Sequence, residues 1–184
     1  GQLTKEIILN KPKKLILIEK DFDLYRDLIK NFRNHNNIDF YNLDALDFNF
    51  NKYKNIYLIS NLPYNMSLKI IYKLLRYAEN INEMLLMVQK EVAEKLEYKI
   101  NNKMNKHNFV INLVSDFKII FNISNKVFYP KPKINSSIIK ITPKKKLHFK
   151  LDDLLRFSSK IFSQKRKKIS NLLKIKHISK IEID

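Results

Sequence analysis

Four consecutive residues near the middle of the chain, Asn61, Leu62, Pro63 and Tyr64, can together hold an aromatic amine. The lone pair of such an amine is delocalised into its ring, so the nitrogen is a poor nucleophile. Two acceptors on its N–H groups would free the lone pair: the Asn61 side-chain oxygen, with the backbone carbonyl of Leu62 or Pro63. Proline fixes φ and keeps these carbonyls aimed, while Tyr64 offers a flat face for a base. The segment predicts methyl transfer to an exocyclic amine, with an ordinary Asn-Leu-Pro turn as the alternative.

Acidic residues follow two apolar runs earlier in the chain. Glu19 ends the run at residues 14–19, and Asp44 follows the run at 38–41. A carboxylate at the first position can accept from both ribose hydroxyls of an adenosine cofactor, and one at the second can accept from the adenine amine. The alternatives are structural. Asp21 is expected to cap the helix that follows it, and Asp44 taken alone is more often a turn residue.

A proline-containing segment at residues 128–133 is a candidate phosphate contact. Its prolines are expected to hold the loop extended and to bring Lys131 and Lys133 within reach of phosphates. Phe128 can cover the second face of a base that stacks on Tyr64. A rigid hairpin connection with a buried phenylalanine is the alternative.

A run of four cations begins a predicted helix later in the chain. The run consists of Lys165, Arg166, Lys167 and Lys168. Helix N-termini already favour anions, so the run is a second candidate phosphate site. A solvated charged face is the alternative.

The overall charge favours a partner of opposite sign. The 184 residues carry a formal net charge of +18, from 36 Lys and Arg against 18 Asp and Glu. Such a surface attracts nucleic acid or an anionic membrane. Lysine supplies 31 of the cations, and 22 asparagines accompany a single glycine and three alanines. An AT-rich genome tends to produce this balance, so the charge by itself leaves nucleic-acid binding open.

Several classes of protein are excluded or not expected. The chain has no cysteine, which excludes a disulfide framework, a thiolate metal site and a cysteine nucleophile. The four histidines form no HxxxH pair, so we expect no metal centre. No apolar run has the length of a membrane span and no secretory signal is visible, so we expect a cytoplasmic protein without membrane contact.

Strands alternate with helices along most of the chain. Apolar runs predict strands at residues 14–19, 38–41, 55–60, 83–89, 117–123 and 135–142. Helical spacing predicts helices at residues 3–10, 21–32, 67–78, 90–96, 107–116, 151–162 and 163–175. This order predicts an α/β doubly wound, Rossmann-like sheet with an antiparallel edge. Sites of such sheets lie at the carboxyl ends of strands, so we expect Glu19 and Asp44 at neighbouring strand ends, opening onto one cleft beside Asn61.

The segment at residues 142–146 is the best candidate for a domain boundary. We expect a catalytic domain at residues 1–143 and a small helical domain at residues 144–184. A Rossmann-like sheet normally opens with a strand and a glycine-rich turn, whereas this chain moves directly into a helical stretch. We interpret the catalytic domain as N-terminally incomplete, without its first strand.

Taken in order, these segments resemble the small-subunit ribosomal RNA adenine N6-dimethyltransferases of the KsgA type. The matching segments are GQLT at 1–4, LIEKD at 17–21, LDAL at 43–46, NLPYNMS at 61–67, QKEVA at 89–93, FYPKPKINS at 128–136 and FSQKRKK at 162–168. Met66 stands where the family usually has isoleucine. The resemblance implies cofactor contacts from Gly1, Glu19, Asp44, Ala45 and Asn61.

The resemblance also implies a reaction. It is the S-adenosylmethionine-dependent dimethylation of the N6 amines of two adjacent adenines near the 3′ end of small-subunit rRNA. Family members act on a partly assembled subunit and take part in its maturation, and we expect a monomer. Two glycines of the family's cofactor motif are not in this sequence, which predicts weakened cofactor binding.

Two other functions stay open at this point. The large-subunit rRNA adenine methyltransferases that confer macrolide resistance share the Asn-Leu/Ile-Pro-Tyr core and the proline-containing loop, although the segments at 89–93 and 162–168 favour the small-subunit family. A non-catalytic rRNA-binding assembly factor is the other alternative. The intact segment from Asn61 to Tyr64 argues against it, because binding alone does not need these residues.

Overall fold

A computed structural model describes residues 1–99 and 103–163. The chain divides into two compact units, Gly1–Lys52 and Tyr53–Asp184. Each unit has its own sheet. In the described part of the chain, no helix has the length and apolar character needed to cross a membrane.

The first unit pairs two parallel strands with two helices. Its elements are α1 (Gln2–Leu9), β1 (Leu15–Glu19), α2 (Phe22–Phe32), β2 (Ile38–Asn42) and a short 3-10 helix (Phe50–Lys52). Strands β1 and β2 run parallel, with a register that joins Leu15 to Ile38 and Glu19 to Asn42.

A helix cap at Asp21 and a buried pair of aromatic rings stabilise the first unit. The Asp21 side chain accepts hydrogen bonds from the backbone N–H groups of Asp23 and Leu24 at 3.0 and 2.9 Å. This satisfies donors that the helix itself leaves without partners and confirms the expected cap of α2. Phe48 and Phe50 are buried and meet edge to face, with ring centroids 4.8 Å apart.

The second unit contains a four-stranded mixed sheet. Its described elements are β3 (Ile56–Asn61), α3 (Ser67–Leu75), β4 (Ile81–Gln89), α4 (Lys90–Leu96), α5 (Lys106–Val114), β5 (Ser115–Ile123), a 3-10 helix (Asn125–Val127), β6 (Ser136–Pro143) and α6 (Leu151–Ser163). The strand order is β3-β4-β6-β5, with β3 parallel to β4 and β6 antiparallel to both β4 and β5. The predicted α/β alternation with a late antiparallel pair is confirmed.

The core of the second unit lies between this sheet and its helices. Alternate residues of β4 and β6 are fully buried, among them Met84, Leu86, Ile139 and Ile141. Strands whose side chains are covered in this way read as apolar runs, which is why the sequence pattern locates them. The Tyr72 hydroxyl of α3 and His107 Nδ1 of α5 lie 2.8 Å apart and join these helices.

Helix α3 ends three residues before the predicted end at residue 78. It stops at Leu75. The N–H groups of Arg76 and Tyr77 then donate to the carbonyls three residues before them, at 3.1 and 2.9 Å, as in a 3-10 turn. Such bonds close the last turn of a helix without extending it. The predicted end at residue 78 is wrong because the apolar spacing continues past the true end of the helix.

Helix α5 also ends earlier than predicted. It stops at Val114, and Ser115 and Asp116, which the spacing assigns to the helix, begin β5. The Ser115 N–H still donates to the Ile111 carbonyl, as in a helix, and the Ser115 hydroxyl donates to the same oxygen at 2.8 Å. The helix ends because the Ser115 backbone is extended, with φ −156° and ψ 163°, and pairs with β6.

Two lysines of the predicted boundary segment bond to earlier elements of the second unit. The Lys144 Nζ donates to the Asn112 carbonyl at 3.0 Å. The Lys145 Nζ donates to the carbonyls of Ala78 and Ile81, at 2.9 and 2.5 Å, and to the Asn82 side chain at 3.2 Å. A single ammonium group therefore ties the end of β6 to the turn between α3 and β4.

Helix α6 follows this segment and contacts other helices of the second unit. Arg76, the residue after α3, forms an ion pair with Asp152, and the ring centroids of Phe109 and Phe162 lie 5.7 Å apart. The predicted domain division after residue 143 stays a prediction, and the helix predicted at 163–175 falls almost entirely outside the described residues.

Replacing Lys145 with methionine should lower the free energy of unfolding by about 1 kcal/mol, because three acceptors lose a charged donor at a largely exposed site. Urea unfolding measures the change. Lys146→Met is the matched control, since the Lys146 ammonium group has no hydrogen bond or ion pair among the described residues. Equal losses in the two variants would contradict a specific role for Lys145.

Candidate active site

Asn61 is the last residue of β3, and its side chain is exposed. It is paired with Met87 of β4, and the next residue, Leu62, is held by a hydrogen bond from its N–H to the Met87 carbonyl at 3.0 Å. Leu62 is buried, with 4% of its surface exposed. Within the described residues the Asn61 side chain makes no hydrogen bond. The sheet thus fixes the backbone and leaves the amide group open to a ligand.

The two candidate carbonyls of this segment differ in their partners. The Pro63 carbonyl accepts from the N–H of Met66 at 3.0 Å and from the Ser67 hydroxyl at 2.9 Å. A carbonyl has two lone pairs, and both are in use here. The Leu62 carbonyl accepts no hydrogen bond from any residue that the structure describes. Of the alternatives that the sequence left open, Leu62 is therefore the carbonyl available to a ligand.

Tyr64 is half-buried and bonded at its hydroxyl. Its oxygen lies 2.8 Å from the Oγ of Ser136, the first residue of β6 and one with no exposed surface. The sequence pattern does not predict a role for Ser136. The available signal was its position at the end of the matching segment 128–136, next to the proline-containing loop.

The proline-containing loop is braced from its two ends. Asn125 donates its N–H to the Asn135 side chain at 3.0 Å and its own side-chain amide to the Pro132 carbonyl at 3.1 Å. Lys131 and Lys133 are exposed, as a phosphate contact requires. Phe128 is half-buried in the same loop, and its stacking against a base opposite Tyr64 stays a prediction.

Glu19 and Asp44 lie at neighbouring strand ends in the first unit, as predicted. Glu19 is paired with Asn42 at the end of β2, two residues before Asp44. The Asn42 side chain donates to the carbonyls of Glu19 and Lys20 at 2.9 and 3.1 Å and so closes the two strand ends. Sequence reasoning missed this role for Asn42, because an exposed asparagine after a strand usually indicates only a turn.

Part of each carboxylate is already occupied. Glu19 Oε1 accepts from the Asp21 N–H at 2.9 Å, and Asp44 Oδ1 accepts from the Leu46 N–H at 2.8 Å. The Lys20 ammonium donates to Asp44 Oδ2 at 3.0 Å. This hydrogen bond raises the pKa of Lys20 above its usual value. A cofactor amine that binds Asp44 therefore meets a carboxylate that is already balanced by a cation.

Gly1 and Ala45 are the other predicted cofactor residues of the first unit. Gly1 is the N-cap of α1, and a Cβ placed on it would lie 3.3 Å from the Phe32 ring, so a side chain at this position would crowd α2. Ala45 is half-buried in the turn that the Asp47 N–H closes on the Asp44 carbonyl at 2.8 Å.

Not all predicted site residues are placed by the structure. Glu19 and Asp44 belong to the first unit, and Asn61 and Tyr64 to the second, so their shared cleft stays a prediction. The basic run at residues 165–168 lies outside the described residues.

Comparison with known proteins matches residues 1–182 of the chain to the model of a family described as ribosomal RNA adenine dimethylase. The chain is 40% identical over 179 residues to the ribosomal RNA small subunit methyltransferase A of Malacoplasma penetrans (strain HF-2), covering 95% of this chain and 64% of that protein. It is 36% identical over 200 residues to the protein of the same name in Ureaplasma parvum serovar 3, covering 100% of this chain and 71% of that protein. The chain thus spans about two thirds of the length of these relatives.

Two solved structures have a similar fold. A dimethyladenosine transferase from Plasmodium falciparum superposes with a TM-score of 0.77 at 27% identity, over 87% of this chain and 59% of that one. The 23S rRNA methyltransferase ErmE superposes with a TM-score of 0.73 at 20% identity, over 94% of this chain and 70% of that one. The second likeness bears on the fold alone.

Proposed function

We propose that this chain, which belongs to the ribosomal RNA adenine dimethylase family, methylates the N6 amines of two adjacent adenines near the 3′ end of small-subunit rRNA. The observation that carries the proposal is the pair of open acceptors, the Asn61 side chain and the Leu62 carbonyl, at the end of β3. It is supported by the names of the relatives, which are small-subunit methyltransferases.

The proposed chemistry follows from these acceptors. The two N–H groups of the adenine amine donate to Asn61 Oδ1 and to the Leu62 carbonyl, and this draws the nitrogen toward tetrahedral geometry. Its lone pair is then localised on the nitrogen instead of delocalised into the ring. No strong base is needed, because the proton that methylation displaces becomes acidic once the nitrogen carries the new bond. Tyr64 supplies the surface on which the base stacks.

S-adenosylmethionine is the proposed methyl donor, and the residues of the first unit suit it chemically. Glu19 has one carboxylate oxygen that the Asp21 N–H does not use, and we assign it to the ribose hydroxyls. Asp44 is assigned to the adenine amine, with Ala45 next to it in sequence, and Gly1 at the N-cap of α1 is the other assigned contact of this unit. When bound, this cofactor supplies a methyl group attached to a positively charged sulfur.

The proposed substrate is rRNA within a partly assembled small subunit, and the proposed compartment is the cytoplasm, with the protein acting as a monomer. The +18 charge supports a polyanionic partner. Exposed Lys131 and Lys133 and the run at 165–168 are assigned to its phosphates. Large-subunit methylation is the competing enzymatic function, because enzymes of that class share the Asn-Leu/Ile-Pro-Tyr core and the proline-containing loop. A non-catalytic assembly role remains the competing function of a different class.

Replacing Asn61 with alanine in the full-length protein should reduce methylation by about two orders of magnitude or more, because the amine loses a preorganised polar partner. The measurement is transfer of labelled methyl groups to small-subunit particles, with large-subunit particles in parallel. Asn36→Ala, at an exposed asparagine of the first unit, is the control and should keep full activity. Labelling of only the large subunit would refute the small-subunit assignment, and binding without labelling would favour an assembly factor.

Replacing Tyr64 with alanine should lower methylation more than tenfold, because a stacked base is stabilised by about 1–3 kcal/mol. Overall rRNA binding should change little, since most of its energy comes from phosphate contacts. A filter-binding assay and a single-turnover methylation assay separate the two effects. A Tyr64→Ala enzyme with near-normal turnover would rule out the stacking role.

Replacing all four cations of residues 165–168 with glutamine should weaken binding to small-subunit particles and flatten its salt dependence. Each phosphate contact that is lost should reduce the steepness of the plot of log affinity against log salt concentration by roughly one unit. The control removes the same charge elsewhere, from exposed lysines of the first unit: Lys5, Lys11, Lys13 and Lys30. If both variants bind alike at every salt concentration, the run is only a solvated surface.

A further inference from the structure

We propose that Ser136 is a positioning residue that orients the Tyr64 ring for the incoming adenine, an inference that rests on the proposed function. The Tyr64 hydroxyl and the Ser136 Oγ are 2.8 Å apart and 72 positions apart in sequence. Ser136 lies at the start of β6, and Tyr64 lies in the turn between β3 and α3. The contact therefore joins two segments that the chain does not bring together locally.

The burial of Ser136 makes this hydrogen bond specific. The residue has no exposed surface, and a buried hydroxyl without a partner is unfavourable. Among the described residues, Tyr64 is the side chain that meets this need. The neighbouring Ser137, equally buried, has a different partner: its hydroxyl donates to the Asn122 side chain at 2.6 Å. The two adjacent serines of β6 thus have different hydrogen-bond partners.

Ser136 is also a rigid anchor. It is paired with Gln89 of β4 on one side and with Ile123 of β5 on the other. Its preceding residue is held as well, because the Lys90 N–H donates to the Asn135 carbonyl at 3.0 Å. A side chain bonded to Ser136 is therefore bonded to the central one of three paired strands.

The Tyr64 ring is consequently fixed at two ends. Its backbone is held by the turn in which Met66 and Ser67 donate to the Pro63 carbonyl, and its hydroxyl is held by Ser136. A ring held in this way presents one face in a constant direction. A base that stacks on it does not have to order it first, and such preorganisation is what positions a reacting amine.

The inference is tested by a double-mutant cycle in the full-length protein. Ser136→Ala and Tyr64→Phe should each lower the single-turnover methylation rate by about fivefold to twentyfold, because each removes the same hydrogen bond while the aromatic ring remains. The double variant should be no slower than either single variant. Tyr64→Phe also covers the case in which Ser136→Ala does not fold, since it leaves the buried residue unchanged.

Ser137→Ala is the matched control. It removes a buried hydroxyl from the next residue of the same strand and should lower thermal stability about as much as Ser136→Ala, with a normal methylation rate. Carbon-13 labelling of the tyrosine rings gives a second measurement. The Tyr64 ring should flip faster in Ser136→Ala than in the wild type or in Ser137→Ala.

The outcomes separate this inference from the proposed function. A wild-type protein that methylates, with an additive double variant or with equal losses in the two serine variants, would overturn the role of Ser136 alone. A wild-type protein that transfers no methyl group to any ribosomal particle would overturn the proposed function and this role with it.

Discussion

The hydrogen bonds to the Pro63 carbonyl are the constraint on which the rest of the site depends. Met66 and Ser67, at the start of α3, use both lone pairs of this oxygen, and the proline ring fixes the φ angle beside it. With that peptide held, the preceding carbonyl of Leu62 can point in only one direction. The Leu62 N–H, bonded to β4, fixes the other side. An open acceptor next to the Asn61 side chain is the result.

Much of this arrangement could be predicted because it is local. The position of Asn61 at a strand end follows from an apolar run and the polar residues after it. The neighbouring positions of Glu19 and Asp44 follow from two such runs, since consecutive parallel strands tend to lie side by side. The ends of α3 and α5 were predicted less well. The apolar spacing does not encode the change of backbone conformation at these ends, such as the switch to an extended conformation at Ser115, where β5 begins.

The remaining features need the folded chain. The bond between Tyr64 and Ser136 spans 72 positions, and nothing in either segment indicates the other. The choice between the Leu62 and Pro63 carbonyls was open in the sequence for the same reason: it depends on which donors α3 brings to them. The family resemblance marks these segments as belonging together, but it does not say which atoms meet.

The composition has structural consequences besides its charge. With a single glycine in the chain, positive φ angles fall on Lys11 and Asn55, at 48° and 55°, where glycine would normally carry less strain. Asparagine and lysine also provide donors that hold exposed backbone carbonyls, as Asn42 and Lys145 do. Some of the excess lysine is therefore used inside the molecule. A net charge of +18 overstates the surface available to RNA, and lysines without such internal bonds are the better guide to where RNA binds.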